Sequence, residues 1–354
     1  MSALLMFLIC LRSRANYRYL STSYILHKYH KILKEIAIIV LNWQDWQNTI
    51  SCLNSLQQLS YTPITIIVCD NGSEDDSFEQ ILNWAQQHYF PSEIGIFSRP
   101  HFIINETNYS FVLIQTGANL GFAGGNNIGI RYALLTRRYK YLWLLNNDTI
   151  VAPKALTNLS EYSITNPNIA LLGSTVIDYY QRDTIQCAGG CRYFPLFTIF
   201  KPILAGQLID KVIQHQIKLD YIYGAAMFFQ VKAIRKVGLL NEEYFLFYEE
   251  LDYCQRLKQQ DYLIGWCRDS LVYHKGSASI GNVSEGDAEK LSQANYYENL
   301  NTLKYTAKFH RYLLPLVLIT RFVGKSFFLI KRREFYLFKP LLKAYRDFIF
   351  GSSA

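Results

Sequence analysis

The sequence predicts an α/β domain built on a mostly parallel sheet with helices on both faces, followed by a helical C-terminal extension. Short, continuous apolar runs rich in β-branched residues recur along it, as strands buried on both faces require. Segments of helical period separate these runs, so successive strands are joined by crossovers and lie parallel. Polar residues gather at the carboxyl end of the runs, the edge at which open α/β sheets bind ligands.

The first strand is expected at 36–41 (Ile-Ala-Ile-Ile-Val-Leu), ending at Asn42. A helical pattern at 49–59 closes on Tyr61-Thr62-Pro63, and a second buried strand at 64–69 stops at Asp70-Asn71-Gly72-Ser73. A helix is expected at 76–88, then an irregular insertion, a strand at 111–115 and a helix at 124–138. The run at 141–145 is the next strand and ends abruptly in Asn146-Asn147-Asp148. In the second half, strands are expected at 169–177 and 221–230, a helix at 249–259, and a short last strand at 271–274. From Ala288 onward the pattern is helical. The expected division is an N-terminal extension at 1–34, a core domain at 35–290 with halves meeting near 150, and a helical region at 291–354.

The chain has 354 residues, half of them hydrophobic and only 18% charged, which supports a large core and argues against global disorder. The net charge of +8 is concentrated at 12–34 and 311–346, both beside apolar stretches. That placement suits an anionic membrane surface, and no nucleic-acid-binding module is legible. The apolar run at 1–10 is too short to span a bilayer, and its basic residues follow rather than precede it. An interfacial anchor and an unstructured leader both fit. The stretch 313–330 is mostly apolar but carries Arg321 and Lys325, which favours an amphipathic helix in the membrane plane. The seven cysteines are odd in number and mostly lie in apolar runs, as buried reduced thiols do. Cys187 and Cys191 lack zinc-ribbon spacing.

Asp148, at the end of a buried strand beside two amides, can hold a hard divalent cation against a diphosphate, although Asn and Asp equally favour a capped turn. Asp70 ends another strand, where a carboxylate can accept from a base or ribose. The segment from Asn119 to Asn127 reads as a glycine-rich loop entering a helix, with neither the dinucleotide nor the Walker spacing. Glu249, Glu250 and Asp252 follow an aromatic run at a helix start. One of them can act as general base toward an acceptor hydroxyl, whereas Asp252 can also pair with Arg256 one helical turn on. His274 gains significance only as a ligand alongside Asp148.

In this order the motifs resemble family 2 glycosyltransferases of the rhamnosyltransferase type. The match runs from Ile39-Val40-Leu41-Asn42-Trp43 through the segments just named to Tyr223-Gly224-Ala225-Ala226-Met227, Glu249-Glu250-Leu251-Asp252 and Val272-Tyr273-His274 with Gly276 and Ser277. The resemblance covers about residues 35–310. It implies a GT-A fold and inverting transfer of a hexose, such as rhamnose, from a nucleoside-diphosphate sugar. The acceptor would be a lipid-linked or polysaccharide hydroxyl in cell-envelope glycan synthesis, and the enzyme would be peripheral on the inner face of the cytoplasmic membrane. By position, Asp148 and His274 would hold Mn2+ or Mg2+, and Glu250 would be the catalytic base. Glu249 and Asp252 would position acceptor or base, and Asn42, Asp70, Asn119, Gly124, Asn127 and Asn147 would shape the donor site.

Two positions depart from the family pattern. Asn146-Asn147-Asp148 offers one strong carboxylate, which makes His274 more necessary. In Tyr296-Tyr297-Glu298-Asn299-Leu300-Asn301, Leu300 stands where the family has an arginine; if that arginine holds the leaving diphosphate, either another cation does so here or activity is weaker. Nucleotidyl transfer is a poorer fit, because Asn42-Trp43-Gln44-Asp45 replaces the basic glycine-rich loop expected after the first strand. A non-catalytic, membrane-associated sugar-nucleotide binder is the other alternative.

Overall fold

The computed structural model describes residues 36–98, 109–211, 217–276 and 288–351. The extension at 1–34, Cys10 and Ser277 lie outside them. The first half of the chain contains β1 (Ile36–Asn42), α1 (Trp46–Leu56), β2 (Thr65–Asp70), α2 (Ser77–His88), β3 (Ile94–Ser98), β4 (Phe111–Gln115), α3 (Gly121–Thr136) and β5 (Tyr141–Asn146). There follow β6 (Thr149–Val151), α4 (Ala155–Thr165), β7 (Ile169–Asp178), β8 (Ile185–Ala188), β9 (Gly190–Phe194), β10 (Ile199–Pro202), β11 (Tyr221–Ile222) and β12 (Ala226–Gln230). The remainder is α5 (Val231–Val237), α6 (Glu249–Lys258), β13 (Leu263–His274), α7 (Ala288–Phe309), α8 (Leu314–Arg332) and α9 (Phe338–Phe350).

The main sheet has the order β3-β4-β2-β1-β5-β12-β7-β13-β6, with β8 added to β7. Strands β3, β4, β2, β1 and β5 are all parallel. Successive residues of β1 feed opposite faces. Ala37 and Ile39 enter one core with Ile67, Cys69 and Leu144, while Ile36, Ile38 and Val40 enter the other with Val68 and Leu145. Both faces are covered, so the strand reads as an unbroken apolar run. The sheet is mixed because β12 runs antiparallel to both β5 and β7. A small second sheet, β10-β9-β11, stands beside it.

Several sequence expectations are corrected. The run 221–230 is two strands, because Tyr223, Gly224 and Ala225 turn the chain from the small sheet into the main one. The last strand is long, starting at Leu263 and pairing with β7 through a register shift between Cys267 and Leu271. The insertion before β4 supplies β3, an edge strand whose alternation is too weak to stand out. The region 119–127 is mostly helix: α3 begins at Gly121, so Gly124 and Asn127 lie in its first two turns. Its glycines serve close packing. A Cβ at Gly129 would stand 2.8 Å from Ile39 and 3.0 Å from Cys69. The cysteines at 52, 69, 187, 191, 254 and 267 are free and buried.

Asn127 is fully buried and ties α3 to the segment after α5. Its Nδ2 donates to Leu240 O and Glu242 Oε1, each at 2.9 Å, and its Oδ1 accepts from Leu240 N at 3.1 Å. Replacing it by alanine strands buried backbone groups, so Asn127→Ala should cost about 1–3 kcal/mol in denaturant unfolding.

Candidate active site

Two cavities meet over the carboxyl ends of the parallel strands. The first, about 450 Å3, is lined by Trp43, Asp45, Asn71, Asn119 and Asn147 on the sheet side and by Phe245, Lys290 and Tyr297 opposite. The second, about 770 Å3, contains Asp148, Gln186, Tyr223, Glu249, Glu250 and His274. Phe122, Asn146 and Leu246 line both.

The floor of the first cavity is a hydrogen-bond lattice. Asn71 donates to Asn119 Oδ1 at 3.0 Å and to Gly121 O at 3.2 Å, and accepts from Leu120 N at 3.1 Å. Asn147 Nδ2 donates to Asp45 O and Thr49 Oγ1, both at 3.2 Å. Gly121 has φ of +70°, and a side chain there would strike Phe245 O. The close approach lets Phe122 N donate to Phe245 O at 2.8 Å, drawing the two walls together.

Asn42 is wholly buried and does not line the cavity. It accepts from Thr49 at 2.6 Å and donates to Asp70 Oδ1 at 2.9 Å, joining the ends of β1 and β2. Asp70 Oδ1 also accepts from Ser73 at 2.6 Å, while its buried Oδ2 has no hydrogen-bond partner among the described residues. Ser73 lines an outer cavity that continues past Trp43 and Lys290. Gly124 packs beneath Leu120, and Asn127 is saturated by the segment after α5, so neither faces the first cavity.

In the second cavity, Asp148 Oδ1 lies 3.2 Å from His274 Nε2. Gln186 Nε2 donates to Asp178 Oδ2 at 3.3 Å and to His274 O at 3.0 Å, which turns its Oε1 toward His274 Nδ1 at 2.9 Å. With Gln186 Oε1 as acceptor, His274 donates from Nδ1 and turns Nε2 toward the Asp148 carboxylate. The hydrogen bond that His274 Nδ1 makes to Gln186 fixes the ring with Nε2 toward Asp148, the orientation that a metal-ligating histidine takes. The separation fits a six-coordinate cation, for which adjacent ligands at about 2.1 Å stand about 3 Å apart. No group of three His, Cys, Asp or Glu residues able to hold a metal occurs among the described residues. Ligands from substrate and water would therefore complete the shell. The Asp148 carboxylate, with substrate and water oxygens, suits a hard divalent cation.

Glu249 and Glu250 open α6 directly after two residues with left-handed backbone, Phe247 (φ 69°) and Tyr248 (φ 77°). Non-glycine residues in this region carry strain that neighbours must hold. Asn301 on α7 does so by donating to Leu246 O at 2.8 Å and Phe247 O at 3.2 Å. Thr302 donates to the Tyr248 hydroxyl at 2.7 Å. Burial pushes the Glu250 carboxyl up to about 7. Burial, then the neighbouring Glu250, raises Glu249 well above the usual carboxylate range. Asp252 is corrected: its oxygens pair with Arg256 Nε and Lys308 Nζ, each at 2.6 Å, so it anchors α6 to α7 and stays outside the cavity.

A model of glycosyl transferase family 2 matches residues 36–231. The chain belongs to this family. It is 31% identical over 248 residues to the low-salt glycan biosynthesis hexosyltransferase Agl10 of Haloferax volcanii, covering 67% of this chain. It is 26% identical over 210 residues to the dTDP-rhamnosyl transferase RfbF of Shigella flexneri, covering 59% of this chain. The chain spans 66% of the length of each relative, just under two thirds. Among solved structures, the mannosyltransferase PcManGT of Pyrobaculum calidifontis, in complex with GDP-Man and Mn2+, aligns at TM-score 0.50 and 10% identity, over 90% of this chain and 88% of that one. GalNAc-T7, with UDP, GalNAc and Mn2+, aligns at TM-score 0.51 and 12% identity, over 77% of this chain and 51% of that one. The fold is GT-A.

In this family 2 glycosyltransferase, Gly224 sets the position of Glu250, because a Cβ at 224 would land on Glu250 Oε1. Gln186, Tyr223, Gly224, Asn71, Asn301 and Lys290 are site residues to which the sequence reading gave no role. Tyr223, Gly224, Asn71 and Asn301 lay inside quoted motifs, whereas Gln186 lies in the Tyr- and Phe-rich stretch between β7 and β9 and carries no local signal. The obstruction at 224 is the mobile end of a side chain, so Gly224→Ala should fold normally, with its melting temperature little changed. It should lower kcat with little change in donor KM, as steady-state kinetics would show.

Proposed function

We propose that this chain is an inverting hexosyltransferase that moves a sugar, rhamnose or another hexose, from a nucleoside-diphosphate donor to a hydroxyl of a lipid-linked or polysaccharide acceptor. The observation that carries this reading is the convergence of Glu250 with the Asp148–His274 pair in one cavity that opens onto the asparagine-lined one. Four further observations support it: family membership, the GT-A fold, the hexosyl- and rhamnosyltransferase relatives, and the Mn2+ named with the two solved neighbours.

In the proposed mechanism the nucleoside lies in the 450 Å3 cavity. Asn119 and Asn147 line its sheet side, and Asp70 stands beneath Ser73. Asp148 and His274 would hold the divalent cation, which when bound would offset charge on the donor diphosphate. Glu250 takes the proton of the acceptor hydroxyl as that oxygen attacks the anomeric carbon from the face opposite the diphosphate. The bond to the leaving oxygen breaks with its electron pair, and the configuration inverts. Glu249, kept neutral by burial, leaves Glu250 as the carboxylate that ionises near neutrality. Leu300 is buried in α7 and cannot meet the diphosphate. Lys290, nearly three turns earlier on α7, lines the donor cavity and supplies positive charge there. The basic, apolar C-terminal helices support a peripheral place on the inner face of the cytoplasmic membrane and a role in cell-envelope glycan synthesis.

A panel of nucleotide sugars with Mn2+, assayed for released nucleoside diphosphate, tests this reading. At least one donor should be turned over, and Asp148→Ala should abolish the Mn2+-dependent part. Glu250→Gln should lower kcat by about 10²- to 10⁴-fold. Turnover that survives both substitutions would refute the mechanism. A base must be ionised to work, so kcat/KM should rise with pH through an acid limb near pH 7, where Glu250 loses its proton. A profile flat from pH 5 to 8, the range over which a base of that pKa changes state, would exclude Glu250 as base.

A further inference from the structure

Helix α8 is built inside out. Leu316, Ile319, Val323, Phe327 and Ile330 recur at steps of three and four along one face and are 47–64% exposed. The opposite face carries the charges inward. Arg321 is buried and donates to Asn299 Oδ1 at 2.9 Å and Glu298 Oε1 at 3.1 Å, and Lys325 reaches Glu298 at 2.7 Å. A helix at a water-facing surface has the reverse arrangement. The stretch Arg311–Arg332 has the length and hydropathy to cross a bilayer, yet these bonds to α7 hold it along the protein.

A second element continues the apolar face. Between β9 and β10 the hairpin tip exposes Leu196, Phe197 and Ile199, while Thr198 turns inward to accept from Arg321 Nη1 at 2.8 Å. The tip is thereby fixed to α8, and Phe197 and Phe328 line one cleft of about 680 Å3 between them. Phe200 and Phe247 line both this cleft and the cavity that holds Glu250.

We propose that the β9–β10 hairpin tip and the outer face of α8 form one bilayer-docking surface, which sets the acceptor cavity at the lipid interface and selects an amphiphilic, lipid-linked acceptor. This deepens the glycosyl-transfer reading above and rests on it for the identity of the cavity. Charge complementarity chooses the occupant. Lys331, Arg332 and Arg333 close α8 and are exposed, and Lys339, Lys343 and Arg346 are exposed on the next helix, α9. Anionic lipid headgroups attract such a border, whereas a symmetric second copy would bring it against itself. An acceptor anchored in the bilayer would then present its sugar to Glu250 past Phe200 and Phe247, with its chain left in lipid.

Flotation of the full chain with phosphatidylcholine vesicles, with and without phosphatidylglycerol, tests the surface without requiring turnover. The wild type should float with the anionic vesicles. Phe197→Ser/Ile199→Ser and Ile319→Ser/Val323→Ser, on independent elements, should each weaken vesicle binding at least about tenfold. Both should lose transfer to long-chain alkyl glycosides in vesicles yet keep wild-type transfer to their short-chain, water-soluble counterparts. Unchanged flotation of both variants would overturn the proposal. So would a wild-type dimer in the absence of vesicles that these substitutions convert to monomer, since a second copy would then cover the face. Failure of every donor to release nucleoside diphosphate, with flotation as expected, would instead refute the glycosyl-transfer reading and with it the acceptor assignment.

Discussion

The arrangement of this molecule depends on how α7 restrains the strained turn in front of α6. Phe247 and Tyr248 hold left-handed backbone that bulky residues adopt only when their surroundings impose it. Asn301 and Thr302 impose it, and the lysine at 308 grips Asp252 on the far side of the same helix start. The turn aims Glu249 and Glu250 at the cavity over the sheet while Asp252 is pinned away from it. The same α7 lines the donor cavity with Lys290 and Tyr297 and fixes α8 through Glu298. One helix thus joins the Glu249–Glu250 turn, the asparagine-lined cavity and the outer apolar face.

Around that helix the two halves of the site are prepared differently. In the asparagine-lined cavity, amides bonded to one another and to backbone make a rigid floor, and Gly121 lets the facing wall approach it. In the cavity that holds Glu250 the groups are left short of partners. Glu249 Oε2 is buried without a hydrogen-bond partner among the described residues, and Asp148 faces an imidazole whose other nitrogen is already committed to Gln186. Buried polar groups are ordinarily satisfied, so an unpartnered carboxylate oxygen in a cavity calls for an explanation, which a ligand would supply.

Much of the fold was legible because strands buried on both faces write unbroken apolar runs, as at β1, β2, β4 and β5. Strands whose identity comes from pairing were not. β3 is a weak edge strand, and the small β9–β11 sheet exists because the chain doubles back between β8 and β12. At the site, Asp148, His274 and Glu250 stood out because each ends or follows a readable element, and the structure brings them to one cavity. Asn42, Asn127 and Asp252 were read as ligand-facing from residue type and motif order, yet each is consumed by an internal partner. Asp252 and Arg256 showed their i, i+4 pairing in the sequence; the long-range bonds of Asn127 to 240 and 242 left no local trace. Gln186, which sets the His274 tautomer from a distant strand, was beyond any reading of spacing.

The central claim is that Asp148 and His274 hold the donor's diphosphate through a divalent cation directly before Glu250. A crystal structure with Mn2+ and a nucleoside diphosphate tests it most directly. The cation should lie between Asp148 Oδ1 and His274 Nε2, with the diphosphate facing the cavity that holds Glu250 and the nucleoside among Trp43, Asn71 and Asn119. Nucleotide bound elsewhere, or bound here with the Asp148–His274 pair closed and no metal ligated, would contradict it.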